Sequence, residues 1–389
     1  MRDVAVIGIG ITKFGEIWDK SLRQLGLEAG YKAILDAGIT GDNIDALYIG
    51  NMSSGTAIAQ EHIAPLFADA VGLTRGHIPA TGIEAASASG GLAFRQGYLS
   101  VAAGQHDLVV VGGAEKISDT NPAELNETLA SSADREWECF FGATLPSLWA
   151  MIARRHMHDF GTTSEQMAKV IVKNHKNAKF NPMAQFQSEV KLEVVLNAVR
   201  VAEPLGVFDC APASDGAAAI VLCAMDKAKD FCEKPVKVIG SGQASDTMSL
   251  HDRTNLTCIE STVFAAKRAF SHAEKTIKDI NVAEVHDAYS ISEILAIEDL
   301  GIVKKGDGGK AMDEGLTELS GELPVNTSGG LKARGHPAGA TGVAQIVEIV
   351  TQLRGEAKER QVKDAKFGLT HNLGGTGGTA VVHIFEGGI

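Results

Sequence analysis

The spacing of apolar residues changes repeatedly along this chain, and each change marks a predicted strand or helix. Residues 3–8 form a short apolar run of the kind that makes a buried strand. Residues 21–38 then have helical spacing and end at a glycine. The apolar positions of this helix are Leu22, Leu25, Ala29 and Ala33. Strand and helix therefore alternate from the start of the chain.

The same alternation continues as far as residue 111. Strands predicted at 46–50, just before Thr81, and at 108–111 are separated by helices predicted at 63–71 and 87–103. Alternation of this kind is typical of an α/β sheet that is covered by helices on both faces.

The middle of the chain does not continue the alternation of strands and helices. Residues 118–204 contain long helical stretches, such as 145–158 and 164–178, and we interpret them as an inserted, mainly helical region. Strand-like sequence returns at 216–222, and the alternation resumes at 236, 259–273 and 282–285. The predicted organisation is an N-terminal half (1–117), an inserted loop domain (118–204), a return strand of the first half (205–230) and a C-terminal half (231–389).

Three pairs of segments have the same order and character in the two α/β halves. Residues 44–49 correspond to 280–285, the glycine-rich helix entry at Ser87 to the one at His336, and the strand at 108–111 to 380–383. Identity within the pairs is slight, so the residues alone leave true duplication open.

Composition narrows the class of protein. With 389 residues and 44% apolar content, the chain can form more than one packed domain. No stretch approaches the roughly 18 to 20 apolar residues of a membrane span, and the N-terminus does not look like a signal peptide, so we predict a cytoplasmic protein. The net charge of −12 argues against a general nucleic-acid surface. Five scattered cysteines predict neither a metal site nor disulfides.

Four short segments carry candidate chemistry. Small residues crowd the predicted strand-to-helix turn around Ser87, where free N–H groups at the helix start would stabilise an anion. Ser87 could be a nucleophile there or merely an N-cap. His336 lies between glycine and proline just before a helix, and His286 follows a strand. The glycine-dense segment 371–378 follows a strand predicted to end near Thr370, and its glycines could bring backbone close to a ligand or simply form a hairpin.

Taken together and in order, these segments resemble the thiolase superfamily. The match includes the block at Ser87, the segment at 214–219, the His-Asp block at His286, the Gly-His-Pro block at 335–337 and the glycine-rich ending at 372–378. Segments 140–144 and 243–247 are most similar to archaeal-type and sterol-carrier-protein-like thiolases, a group that includes acetyl-CoA acetyltransferases and the catalytic subunit of benzoylsuccinyl-CoA thiolase.

The resemblance implies a layered αβαβα fold and reversible Claisen chemistry on a 3-oxoacyl-CoA, with coenzyme A as substrate rather than as a bound cofactor. By motif matching, His336 would activate the nucleophile Ser87 and contribute to one oxyanion site, and His286 would orient a water or thioester oxygen. The backbone N–H groups of Ser87 and Gly374 would form a second oxyanion hole. A homodimer or dimer of dimers is implied, with a possible small zinc-binding OB-fold subunit.

The departures from the family pattern are as informative as the match. Ser87 stands where the family has its nucleophilic cysteine, and Asn372 and Ala288 occupy the two positions where relatives place a second thiol. Serine is much less acidic than cysteine, and acyl transfer from an oxygen ester to a thiol runs uphill. We hypothesise that Cys139, close to the segment at 142–144, supplies a replacement thiol.

Several explanations of Ser87 therefore stay open from the sequence. The serine could be an engineered replacement, a natural variant that uses Ser87 or direct attack by coenzyme A, or a sign that activity has been lost. The main prediction is a thiolase-type acyl-CoA C-acyltransferase. The alternatives are a non-catalytic CoA-binding scaffold of the same fold and a condensing enzyme similar to ketoacyl synthases.

Overall fold

The computed structural model describes residues 2–388. The strands in this part of the chain are β1 (Val4–Ile11), β2 (Ala46–Gly50), β3 (Ala80–Ile83), β4 (Leu108–Glu115), β5 (Arg200–Ala202), β6 (Leu205–Gly206), β7 (Gly216–Ala224), β8 (Val236–Ser245), β9 (Val282–Glu284), β10 (Phe367–Gly374) and β11 (Thr379–Glu386).

The α-helices over the same residues alternate with these strands outside the inserted region. They are α1 (Leu22–Asp36), α2 (Ser54–Ala57), α3 (Ile63–Ala70), α4 (Ser89–Ala102), α5 (Pro122–Ala130), α6 (Leu145–Phe160), α7 (Ser164–Ala178), α8 (Leu192–Leu196), α9 (Met225–Phe231), α10 (Glu260–Ala273), α11 (Ser290–Asp299), α12 (Gly308–Asp313), α13 (Gly330–Ala333) and α14 (Ala338–Arg354).

Local sequence explains where several helices begin and end. Ser21 precedes α1 and accepts a hydrogen bond from the backbone N–H of Gln24, whose side chain accepts one from the backbone N–H of Ser21. Gly161 ends α6 and Gly355 ends α14, both in the left-handed conformation that glycine adopts without strain. These signals are the reason that the predicted helices begin and end within a few residues of those observed.

The two halves of the chain repeat one strand arrangement. The first half has the order β3-β2-β4-β7-β1, and the second half mirrors it with β9-β10-β11-β8. In each half the equivalent neighbours have the same orientation: β2–β4 and β9–β10 are parallel, whereas β4–β7 and β10–β11 are antiparallel. A parallel bridge between Ala283 and Val325 stands in for the β2–β3 pair. The duplication left open by the sequence is therefore present in the topology.

One of the three sequence pairs was wrong in detail. The segment 108–111 lies in β4, whose topological counterpart is β10, and not β11 at 380–383. Both candidate strands are apolar and buried, so their character alone could not distinguish them. Similarly, residues 371–374 continue β10 in pairing with β11 rather than forming a loop.

The layers follow the order αβαβα, as predicted. Helices α4 and α14 contact each other and strands of both halves, so they form the central layer. Helix α1 covers the outer face of the first half, and α10 covers that of the second. The halves are joined where Val4–Val6 of β1 pairs with β8. Helix α14 is buried along nearly its whole length, which explains its almost continuous run of apolar and small residues.

The inserted region occupies the stretch between the end of β4 at Glu115 and the start of β7 at Gly216. It contains α5 to α8 and the small β5–β6 pair, and α7 packs against α11, α12 and α13 of the second half. The predicted limits 118–204 fall inside this stretch. No helix among residues 2–388 combines the length and apolar character required to cross a bilayer.

Candidate active site

Ser87 lies on a tight turn between β3 and α4. Ala86, immediately before it, has a φ of 50°, a left-handed conformation that is unusual for alanine. The turn is closed by hydrogen bonds from the N–H groups of Ala88 and Ser89 to the carbonyls of Ala85 and Ala86. Ser87 is largely buried on this turn.

The Ser87 side chain does not cap α4, so the N-cap alternative is wrong. The hydroxyl that closes this turn belongs to Ser89, which accepts from the Ala85 N–H at 2.9 Å and donates to the Ala86 carbonyl at 2.6 Å. The Ser87 hydroxyl instead lies 3.2 Å from Nε2 of His336, 249 residues away in the chain. The structure therefore brings together the two residues that the sequence singled out most strongly.

His336 is held by its own helix entry. Its Nδ1 lies 2.7 Å from the hydroxyl of Thr341, and that hydroxyl donates to the carbonyl of Pro337 at 3.0 Å. Because the Thr341 proton is used for Pro337, the hydroxyl can only accept from His336, so Nδ1 carries the ring proton. Nε2 then has a free lone pair directed at Ser87. This is the geometry in which an imidazole can remove a proton from a hydroxyl.

The charge state of His336 agrees with that geometry. Burial, with Arg334 and Lys332 nearby, lowers the pKa of His336 to about 3. The ring is therefore neutral at physiological pH and available as a base. Thr341 was not identified from the sequence, although its place five residues after His336, in the first turn of α14, could have suggested it.

His286 follows the end of β9 and lies beside His336. The two ring centroids are 5.2 Å apart and the rings are nearly perpendicular. Burial, and next the neighbouring rings of His336 and His371, hold the pKa of His286 well below its ordinary value. Nδ1 of His286 lies 3.2 Å from the side-chain nitrogen of Asn372. His286 is thus a second neutral histidine beside His336.

A cavity of about 110 Å³ contains Ser87, His286 and His336 in its wall. The inserted region contributes apolar side chains to it, so this region closes the site from one side. The complete set of lining residues is Met52, Ser87, Ile117, Leu125, Leu129, Ser132, Leu145, Ala211, Pro212, Ala213, Ser214, His286, Ala288, Tyr289, His336 and Gly375. Among residues 2–388, no cluster of acidic, histidine and cysteine side chains could hold a metal ion.

Gly374 lies at the end of β10, against the turn that carries Ser87. A side chain at Gly374 would come within 2.5 Å of the Ala85 carbonyl, so only glycine permits this approach. The following Gly375 has a φ of 59° and begins the hairpin turn to β11. The glycine segment therefore serves both alternatives considered from the sequence, since it forms a hairpin and brings backbone close to Ser87.

Cys139 occupies a different environment. Its thiol donates to the carbonyl of Ala130 at 3.2 Å within an apolar cluster, and it is absent from the lining of the cavity. Burial raises the pKa of the Cys139 thiol, which opposes formation of the reactive thiolate. The geometry does not bring Cys139 together with Ser87 and His336, and its role as a replacement thiol stays a hypothesis.

Comparison with known proteins identifies the family. The family model described as thiolase, N-terminal domain, matches residues 4–226, and the one described as thiolase C-terminal domain-like matches residues 242–387. The chain belongs to the thiolase family. It is accordingly an acyltransferase that uses coenzyme A thioesters, as predicted.

Relatives within the thiolase family agree with the finer resemblance. An acetyl-CoA acetyltransferase of Methanothermobacter thermautotrophicus is 56% identical over 99% of this chain and 100% of its own length. Sterol carrier protein 2 of Bos taurus is 33% identical over 99% of this chain and 72% of its own length. The benzoylsuccinyl-CoA thiolase subunit BbsB of Thauera aromatica is 32% identical over 96% and 95% of the two chains.

Solved structures show the same fold. The Ltp2-ChsH2(DUF35) aldolase is similar with a TM-score of 0.85 and 26% identity, covering 98% of this chain and 97% of that one. Human mitochondrial 3-ketoacyl-CoA thiolase in complex with CoA has a TM-score of 0.76 at 18% identity, covering 100% and 98% of the two chains. The thiolase fold predicted from the sequence is therefore confirmed.

Proposed function

We propose that this thiolase-family protein cleaves or forms a short 3-oxoacyl-CoA, with Ser87 as the acyl acceptor and His336 as the single base of both half-reactions. The observation that carries the proposal is the 3.2 Å approach of the Ser87 hydroxyl to the unprotonated Nε2 of His336. A second thiol is not required in this scheme, because one imidazole can remove and return a proton in succession.

The first half-reaction makes an acyl-serine. His336 removes the Ser87 proton while the oxygen attacks the 3-oxo carbonyl, and the bond between C2 and C3 then breaks. The proton on His336 passes to the C2 carbanion, which leaves as acetyl-CoA. Burial disfavours the imidazolium form of His336, so the proton is released readily once the carbanion has formed.

The second half-reaction regenerates the enzyme. Coenzyme A gives its thiol proton to His336, the sulfur attacks the acyl-serine, and the proton returns to the Ser87 oxygen as the acyl-CoA leaves. Since an oxygen ester is more stable than a thioester towards thiol attack, this step is the harder one. The acyl-serine should therefore accumulate during turnover, which makes it accessible to direct detection.

We propose two oxyanion sites beside Ser87. His286 lines the cavity beside His336 and is placed to contact a thioester oxygen. The backbone of Gly374 lies against the turn of Ser87, where two N–H groups could converge on a second oxygen. The small cavity favours a short acyl group such as acetyl over an aromatic one, since pockets for larger ligands span about 300–1,000 Å³.

Acyl-enzyme trapping tests the nucleophile. The chain with Ser87 and a Ser87→Ala variant would be incubated with acetyl-CoA or acetoacetyl-CoA, and intact mass and released thiol would be measured. We expect an acyl adduct that maps to Ser87 in the unsubstituted chain and none in the variant. CoA binding with neither adduct nor turnover would instead support the scaffold alternative, which the loss of both family cysteines favours.

An assay with malonyl-CoA tests the condensing-enzyme alternative. Two neutral histidines beside a nucleophile are an arrangement that could also act on a malonyl thioester. Release of carbon dioxide from malonyl-CoA without added coenzyme A would favour that activity. Strict dependence on free coenzyme A with a 3-oxoacyl substrate would favour thiolysis.

We further propose a cytoplasmic homodimer or dimer of dimers that binds a small zinc-containing OB-fold subunit. Strand β3 is the edge of the first half, and its residues Thr81 and Gly82 are exposed, as expected of a strand that can pair with a second copy. The solved relative named as an aldolase contains a DUF35 component. Light scattering of the chain alone, and after co-expression with a DUF35 protein, measures both assemblies.

A further inference from the structure

Asn372 stands where many thiolases have their second cysteine, and its side chain is locked between the two central helices. The residue is almost completely buried at the end of β10. Glycines of both helices make room for it: a Cβ at Gly91 of α4 would lie 2.8 Å from Oδ1 of Asn372, and a Cβ at Gly342 of α14 would lie 2.2 Å from it. The amide therefore has one place and little freedom to move.

Two backbone groups determine which way the Asn372 amide faces. Its Oδ1 accepts from the N–H of Gly91 at 3.1 Å, and its Nδ2 donates to the carbonyl of Ser87 at 2.9 Å. Rotating the amide by 180° would place its NH₂ against an N–H and its oxygen against a carbonyl. Because backbone N–H and C=O groups cannot exchange roles, this orientation is the only one that satisfies both.

The orientation of Asn372 in turn determines the protonation of His286. The second hydrogen on Nδ2 of Asn372 points to Nδ1 of His286, 3.2 Å away, so Nδ1 must be the acceptor. The ring is neutral, because burial holds the pKa of His286 well below its ordinary value. A neutral ring with a bare Nδ1 carries its proton on Nε2. Nε2 makes no hydrogen bond to any of residues 2–388, and His286 lines the cavity.

The two histidines of the cavity are therefore held in opposite tautomers. Thr341 keeps the proton of His336 on Nδ1 and leaves Nε2 as an acceptor for the Ser87 hydroxyl. Asn372 keeps the proton of His286 on Nε2, so that ring is a donor. As an acceptor, His336 can take the proton of the nucleophile when the nucleophile attacks a carbonyl. As a donor, His286 can stabilise the carbonyl oxygen that becomes negative.

We propose that Asn372 is a positioning residue that sets the tautomer of His286, so that His286 donates an N–H to the carbonyl oxygen of the acyl thioester. The inference rests on the proposed function for its catalytic consequence, whereas the tautomer itself does not depend on activity. Asn372 cannot exchange a proton as a cysteine would. In place of the second thiol it provides a fixed hydrogen-bond donor, and this donor acts on the reaction by setting the tautomer of His286.

Nitrogen NMR tests the tautomer directly. In protein labelled with ¹⁵N-histidine, protonated and bare ring nitrogens have distinct shifts, and His286 is assigned by the signal lost in His286→Asn. We expect a protonated Nε2 in the unsubstituted chain. In Asn372→Asp an oxygen replaces the donor, so the proton should move to Nδ1 or the ring should become charged. A proton on Nδ1 of His286 in the unsubstituted chain, or a tautomer unchanged in Asn372→Asp, would overturn the proposal.

A double-mutant cycle separates positioning from a purely structural role. Asn372→Asp should lower kcat for thiolysis roughly 100-fold with little change in KM, the usual loss for one oxyanion donor. In the background of His286→Asn, whose side-chain NH₂ donates without any tautomer, the same change should cost less than about threefold. Equal losses in both backgrounds would show that Asn372 acts through Ser87 or the packing, and would refute the proposal.

A second variant keeps the test informative if Asn372→Asp does not fold. Asn372→Leu has a similar size, removes the donor without adding charge, and should leave His286 as a mixture of both tautomers. A single Nε2-protonated form in this variant would contradict the proposal. If the unsubstituted chain proves inactive while the NMR result holds, the proposed function fails and the assignment of Asn372 stands.

Discussion

Replacing Thr341 with valine should disable His336 as a base without altering the cavity. Thr341 does not line the cavity, and its methyl-bearing side chain is close in shape to valine. Its hydroxyl is the acceptor that holds the proton on Nδ1 of His336, at 2.7 Å. Without it, the buried Nδ1–H has no partner, and the proton is better placed on Nε2, where it donates to Ser87. His336 is then in the wrong tautomer to remove the serine proton.

The size of the effect follows from the cost of an unpaired donor. Leaving a buried N–H without an acceptor costs about 1–3 kcal/mol, and this cost falls only on the active tautomer. The population of that tautomer should therefore drop roughly 5- to 150-fold, since 1.4 kcal/mol corresponds to a factor of ten. The loss is smaller than for an ionised partner because a hydroxyl carries no charge.

Thr341→Ser is the matched control, because it keeps both hydrogen bonds and removes only a methyl group. Single-turnover formation of the acyl-serine would be followed by acid quench and intact mass, alongside steady-state thiolysis and thermal melting. We expect kcat to fall in Thr341→Val with KM nearly unchanged, and the Thr341→Ser variant to stay close to the unsubstituted chain. If the valine variant acylates within about twofold of the serine variant, Thr341 does not control the base.

Three further outcomes are expected. Ser87→Cys should raise the thiolysis rate roughly tenfold or more and reduce the accumulated acyl-enzyme, because a thioester passes its acyl group to coenzyme A more easily; an unchanged rate would place the slow step elsewhere. Cys139→Ala should leave turnover unchanged, whereas a large loss of turnover would support Cys139 as the replacement thiol. His383 has a pKa lowered by burial to about 3 from an ordinary 6.5, so the unfolded chain binds its proton first as the pH falls. Compared with His383→Phe, the unsubstituted chain should therefore lose ~1.4 kcal/mol of stability per pH unit between about pH 6 and 4 in urea titrations, and a constant difference would contradict the assigned pKa.

The αβαβα layers could be predicted because local spacing and family motifs agree. Strand and helix alternation, capping residues such as Ser21, and the terminal glycines of α6 and α14 act over a few residues, so their effects are visible in the sequence. The sequence does not identify which strands of the two halves are equivalent. Strands β10 and β11 are both buried and apolar, and only their hydrogen-bonded order shows that β10 is the counterpart of β4.

The residues of the site could be predicted from the sequence, but their hydrogen bonds and protonation states could not. The sequence by itself determined that Ser87, His286 and His336 occur in thiolase motifs and that both usual cysteines are absent. Only the tertiary structure placed Cys139 away from the cavity and gave Asn372 its three hydrogen bonds. It alone decided which nitrogen of each histidine carries the proton. The physical reason is that a tautomer depends on the direction of a few donors and acceptors, and those of His286 are brought in from 86 residues away in the chain.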